Sequence, residues 1–166
     1  MADAKTRDIL PPSQWQLVGR LEHARLAGAN RVMTRGKHVY IGSSLSQNSK
    51  RADDLRNNVA VIDLSEPEKP RLLSTVDFPD ERGPNGLEIA GTIVFAGGGQ
   101  TVQAIDVSNP SAPRELSRFT SAEVFPGGGD DVHDLVFHDG HLFVTAQNTH
   151  ALVVLKWTGQ PAPGKP

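Results

Sequence analysis

An all-β fold is what this sequence predicts, on three observations. Short runs of β-branched and apolar residues alternate with turn residues. Glycine and proline are in excess, with sixteen and twelve in 166 residues. A motif also recurs at an offset of 43 residues. Enrichment in turn formers without low complexity suits many short strands joined by many turns. No stretch of the repeated region carries the apolar spacing of a long amphipathic helix.

The elements follow in order. Gln16-Leu17-Val18-Gly19-Arg20-Leu21 is a first strand-like run. Val32 to Tyr40 reads as a hairpin about Gly36, and Val59-Ala60-Val61-Ile62 as the strand after it. Then comes Ile62-Asp63-Leu64-Ser65-Glu66-Pro67-Glu68-Lys69-Pro70, followed by the run Arg71 to Val76. The same series returns as a hairpin about Gly91 (Leu87 to Phe95), the strand Val102 to Ile105 and the motif Ile105-Asp106-Val107-Ser108-Asn109-Pro110-Ser111-Ala112-Pro113. The run Arg114 to Phe119 closes it. A third series has a hairpin from Val136 to Val144 and a strand at Ala151 to Val154. Its turn, Asp139-Gly140, is the strongest two-residue signal, because both central positions of a type I′ turn need positive φ. Glycine-to-glycine spacing is longer between Gly36 and Gly91 than the repeat requires, so about 12 residues between Ser43 and Asn58 form an inserted polar loop.

Each unit therefore holds four short strands in 40 to 50 residues, the size of one β-propeller blade. The expected architecture is a partial β-propeller of three four-stranded blades over residues 15–157, cut approximately at 15–70, 71–113 and 114–157. Residues 1–14 and 158–166 read as flexible extensions. The Ile-Asp-Val-Ser-Asn-Pro-x-x-Pro run, with its upstream glycine hairpin, resembles the signature of the LVIVD repeat family. The resemblance covers roughly residues 15–157, and it implies a propeller rather than a particular reaction. In the third unit Val154-Leu155-Lys156-Trp157 lacks the Asp, the Ser and both prolines.

The strand count leaves a remainder. The chain opens on a lone outer strand, Gln16–Leu21, and its last unit has three strands with no outer one after them. Three blades do not close a ring, since propellers use about four to eight. An open arc leaves an apolar face bare at each end. Two solutions follow: the chain is part of a longer propeller, or a homodimer completes a six-bladed ring, each copy lending its first strand to the other's last blade.

Seventeen basic against nineteen acidic residues and only nine aromatics argue against a nucleic-acid surface. The absence of cysteine excludes disulfides, thiol catalysis and cysteine-bound metals. No apolar run reaches the ~20 residues of a membrane span, and the start lacks the apolar core of a signal peptide. The expected location is cytoplasmic by default, or extracytoplasmic if the chain belongs to a longer family member.

Candidate site residues cluster before the inner strands. Asn30, Asn85 and Asp134, aligned on the hairpin glycines, share one repeat position and would ring a channel mouth as ligand-binding groups. His133 beside Asp134 is the best acid–base pair, since a carboxylate tunes an imidazole. Asp130, Asp131 and Asp134 offer oxygens for Ca²⁺ or Mg²⁺, though at no EF-hand spacing. His133 and His138 would stand at opposite ends of one strand, about 16 Å apart, so with His141 they do not make a three-ligand zinc site. Asp63 and Asp106 read as turn residues that accept backbone N–H groups near Ser65 and Ser108.

The reading these observations favour is a non-catalytic binding scaffold for a protein or small molecule, with no cofactor. Its expected contact surfaces are the loops at Ser43–Asn58 and Asp130–Asp134. The alternative is an enzyme or metal-binding propeller with its site at the channel mouth around His133 and Asp134.

Overall fold

The structure, a computed structural model, describes residues 15–44, 56–126 and 132–159. Three antiparallel sheets contain its strands. The first is β1 (Ala29–Arg35), β2 (His38–Ser43), β3 (Asn58–Asp63) and β4 (Arg71–Asp77). The second is β5 (Gly86–Ala90), β6 (Ile93–Gly98), β7 (Thr101–Asp106) and β8 (Arg114–Thr120). The third is β9 (Val132–His138), β10 (His141–Ala146) and β11 (Ala151–Lys156). Spatial order equals chain order in each sheet, so every sheet is a meander of hairpins. β5 touches both β1 and β9, and the sheets stand as consecutive blades of an open propeller arc. The first two sheets end one strand later than the approximate cuts at residues 70 and 113, because Arg71–Asp77 and Arg114–Thr120 complete the sheet that precedes them.

Local chemistry sets the turns. Asp139 (φ 46°) and Gly140 (φ 74°) both take the left-handed conformation, as the type I′ reading requires. Both Ile-Asp turns are built alike. The Ser65 N–H donates to Asp63 Oδ1 (2.8 Å), and the Ser108 N–H donates to Asp106 Oδ1 (2.9 Å). The sequence reading missed the second half of each turn. Arg71 donates to Asp63 Oδ2 (2.5 Å) and Arg114 to Asp106 Oδ2 (3.1 Å). Each guanidinium lies eight residues beyond its aspartate, so the Asp…Arg pair belongs to the repeat. Hydrogen bonds from the Ser65 hydroxyl and N–H, then Arg71, hold the Asp63 carboxyl well below the ordinary range. The Ser108 N–H and hydroxyl, then Arg114, do the same for Asp106.

Two apolar cores lie between the sheets. One joins Tyr40, Val59 and Val61 of the first sheet to Leu87, Val94 and Ile105 of the second. The other joins Phe95, Val102 and Ala104 of the second sheet to Leu135, Leu142 and Val144 of the third. Phe95 sits at the centre of this second core, with Phe137 stacked at 5.3 Å and Trp157 edge-on at 5.2 Å. β3 and β7 are buried at every residue, because both of their faces are covered. The matching strand of the third sheet, β11, exposes four of its six residues, because one face and its outer edge are open.

Gln16–Leu21 has no regular secondary structure, in contrast to the lone outer strand expected there. A strand exists only by pairing, and the third strand that lacks an outer neighbour among the described residues, β11, is at the far end of the arc. The two ends also differ, where the sequence reading expected both to be bare. Leu21, and Leu26 from a single 3₁₀ turn at Ala24–Leu26, pack on Val39, Ala60 and Ile62. The first sheet's outward face is thus partly covered by its own N-terminal segment.

Candidate functional site

The inner strands bring the predicted ligand group together. Asn30 Nδ2 donates to Asn85 Oδ1 (2.9 Å). Arg31, a residue the sequence reading did not single out, ties this pair to the third sheet. Its Nε donates to the Asn85 carbonyl (2.7 Å), and its terminal nitrogen reaches Asp134 Oδ2 (2.6 Å). Asp134 is further held by Thr145. The Asp134 N–H donates to Thr145 Oγ1 (3.0 Å), and that hydroxyl donates back to the Asp134 carbonyl (3.2 Å). Glu88, half-buried on β5, has its carboxyl pushed up, chiefly by burial, with the negative charge of Asp134 adding to it.

Strand pairing corrects the repeat alignment in the third unit. The residues that flank the hairpin turns are Arg35↔His38, Ala90↔Ile93 and His138↔His141. The third turn thus has its glycine second, whereas the first two have it first. Counted from the turns, His133 and not Asp134 is equivalent to Asn30 and Asn85, and Asp134 is equivalent to Arg31 and Gly86. Asn30 and His133 are both the extra residue of a β-bulge, next to the pairs Arg31↔Gly42 and Asp134↔Thr145. A bulge re-aims the side chain it carries. Gly86 completes the set. A Cβ there would lie 3.0 Å from Asp134 Cα, so the missing side chain lets β9 come close enough to β5 for Arg31 to span all three inner strands.

The other candidates fall as follows. His133 is exposed, and the Asp134 carboxylate turns to Arg31. His138 and His141 pair directly across the turn, and His141 Nδ1 lies 2.7 Å from the Asp139 carbonyl. Asp130 and Asp131 lie outside the described residues, as does most of the Ser43–Asn58 loop. Among the described residues, no three His, Asp or Glu side chains gather closely enough to hold a metal ion, and no helix is long and apolar enough to cross a membrane. Chemically the inner-strand cluster is a linked set of two amides and one ion pair, suited to holding geometry and offering polar edges.

Residues 96–121, which run through β7, the second Ile-Asp turn and β8, match the LVIVD repeat. That stretch is similar to one LVIVD repeat. No curated protein matches it. Among solved structures it is similar to a chain of the crystal structure of a nidogen/laminin complex, at 11% identity and a TM-score of 0.46. The match covers 72% of this chain and 39% of that one. The Asp106–Ser108–Arg114 turn falls inside the matched residues, and the Asp63–Ser65–Arg71 turn repeats it one blade earlier.

Proposed function

We propose that this propeller repeat module is a non-catalytic binding scaffold, and that its first partner is a second copy that completes a six-bladed ring. One observation carries this reading. Tyr40, Phe95 and Phe143 are equivalent, each on the second strand of its sheet and each paired with the matching residues on either side (Met33 and Val61, Glu88 and Ala104, Val136 and Val154). Tyr40 and Phe95 are 2% and 1% exposed beneath the next sheet. Among the described residues no sheet follows that of Phe143, which is half-buried, with Val136, Leu152 and Val154 exposed around it. The third sheet thus presents an apolar face of the kind that in the other two receives a neighbour.

A ring built this way sets two Asn30–Arg31–Asn85–Asp134 groups about one axis. That polar mouth is the surface offered to a further protein or small-molecule partner. The test is light scattering on the purified chain across a concentration series, with Phe143→Asp beside it. A dimer that Phe143→Asp turns into a folded monomer supports the reading. A wild-type chain that stays a folded monomer throughout overturns it.

A further inference from the structure

The two ends of the arc carry the two halves of one blade. At the first end, Gln16–Leu21 already lies where the outer strand of a preceding blade would lie. Aligned on the repeat, Gly19 matches Ser74 and Leu21 matches Val76. Ser74 donates its hydroxyl to the carbonyl of Pro110 (2.6 Å). Gly19 sits so close to the carbonyl of Pro67, the equivalent proline, that a side chain there would collide with it. Val76 joins the core that holds Val94 and Ile105, and Leu21 joins the one that holds Val39 and Ile62, their equivalents. The segment therefore contacts the first sheet as β4 contacts the second, but without the three strands of its own blade.

At the other end, the described residues form three strands without the fourth. Between β8 and β11 runs a groove of about 360 Å³, with Phe95, Val102, Phe119, Leu142 and Leu155 on its walls. In the first sheet β4 fills the corresponding place beside β3. The large apolar side chains left exposed fit the same division. Trp15, Leu17 and Val18 are on the N-terminal segment, at 80%, 81% and 52%. Leu116 and Phe119 of β8 flank the groove, each 38% exposed.

Resting on the six-bladed reading above, we propose that Gln16–Leu21 of one copy is the missing outer strand of the other copy's third sheet. It runs antiparallel to β11, with Leu17 opposite Leu155, Gly19 opposite Val154 and Leu21 opposite Leu152. The register is that of β4 on β3, where Leu72 faces Ile62, Ser74 faces Val61 and Val76 faces Val59. Backbone pairing along β11 supplies affinity, and Leu17 enters the groove. The exchange is reciprocal, so both junctions of the ring are strapped at once.

The natural absence of cysteine makes disulfide trapping direct. The register puts Gln16 opposite Lys156, and both are exposed, so Gln16→Cys with Lys156→Cys leaves the cores intact. Directly opposed strand residues fall within disulfide reach. On mild oxidation this double variant is expected to run at twice the chain mass on a non-reducing gel and to revert on reduction. Gln16→Cys with Leu152→Cys, four residues out of register, is expected to stay at single mass, since four residues span about 13 Å. If light scattering finds the dimer but the 16–156 pair forms no cross-link, the strand placement is overturned and the ring reading stands. A disulfide within one chain also overturns the exchange. A folded monomer overturns both.

Discussion

Arg31 and Asp134 are 103 residues apart in the chain and 2.6 Å apart in space, and their ion pair links the first sheet to the third across the second. Each side chain is a third to a half exposed. The charge term is therefore small, about 0.2–1 kcal/mol for such a pair, and the hydrogen bond from Arg31 to the Asn85 carbonyl adds about 0.5–1.5 kcal/mol. Arg31→Ala is expected to lower stability by about 1–2 kcal/mol in urea unfolding. Arg31→Lys should recover little, because a single ammonium does not reach both acceptors in the fixed fork of a guanidinium. A loss equal to that of an exposed control such as Thr34→Ala would show that the tie contributes nothing.

The repeated aspartates are expected to contribute to the acid limit of the fold. Asp63 and Asp106 are both held below their ordinary range when folded, so the unfolded chain binds protons more readily than the folded one. Their contribution is fully present above the unfolded aspartate pKa, about 3.9, and is lost as pH falls below it toward the folded values. Thermal melts between neutral pH and pH 3 should show stability dropping in that window. Asp106→Asn should flatten the drop while lowering the plateau at neutral pH. An unchanged acid limb would mean other carboxyls control it.

Glu88 works in the opposite direction. Burial raises its folded pKa, so its stabilising effect is complete below the unfolded glutamate value, about 4.3, and is lost as pH rises through the folded one. Glu88→Gln is therefore expected to raise the melting temperature at pH 7 and to make no difference near pH 3. Equal shifts at both pH values would point to packing rather than charge.

How much of this was legible follows from which interactions are local. The hairpins, the Ile-Asp turns and eleven of the twelve expected strands are written in short spacings, and Asp63 with Ser65 is a two-residue relationship any reader of turns recovers. Arg71 and Arg114 were within reach, since both stand eight residues after a repeated aspartate, but the pairing needs the turn geometry to bring them back. Arg31 was not legible. Its role depends on a bulge at Asn30, on the missing side chain of Gly86 and on a carboxylate two sheets away. The one-residue shift at His133 was hidden because the third hairpin moves its glycine from the first turn position to the second, and an alignment on glycines follows the residue rather than the turn.

Phe95 and Phe143 allow folding to be compared with the proposed assembly. Phe95 is 1% exposed between two sheets, against Phe137 and Trp157. Truncating a buried phenylalanine removes both its transfer free energy and the contacts around the resulting cavity, at a cost of about 3–5 kcal/mol. That is a large share of the 5–15 kcal/mol that holds a typical domain, so Phe95→Ala should unfold at much lower urea. Phe143 is its structural equivalent but packs against no following sheet among the described residues. Phe143→Ala should therefore cost the isolated chain less than Phe95→Ala, while weakening association as read by light scattering. Urea midpoints taken at a dilution where both variants are monomeric make the comparison clean. If Phe143→Ala costs as much there as Phe95→Ala, Phe143 belongs to the core of a single chain, and the apolar face of the third sheet is not a surface waiting for a neighbour.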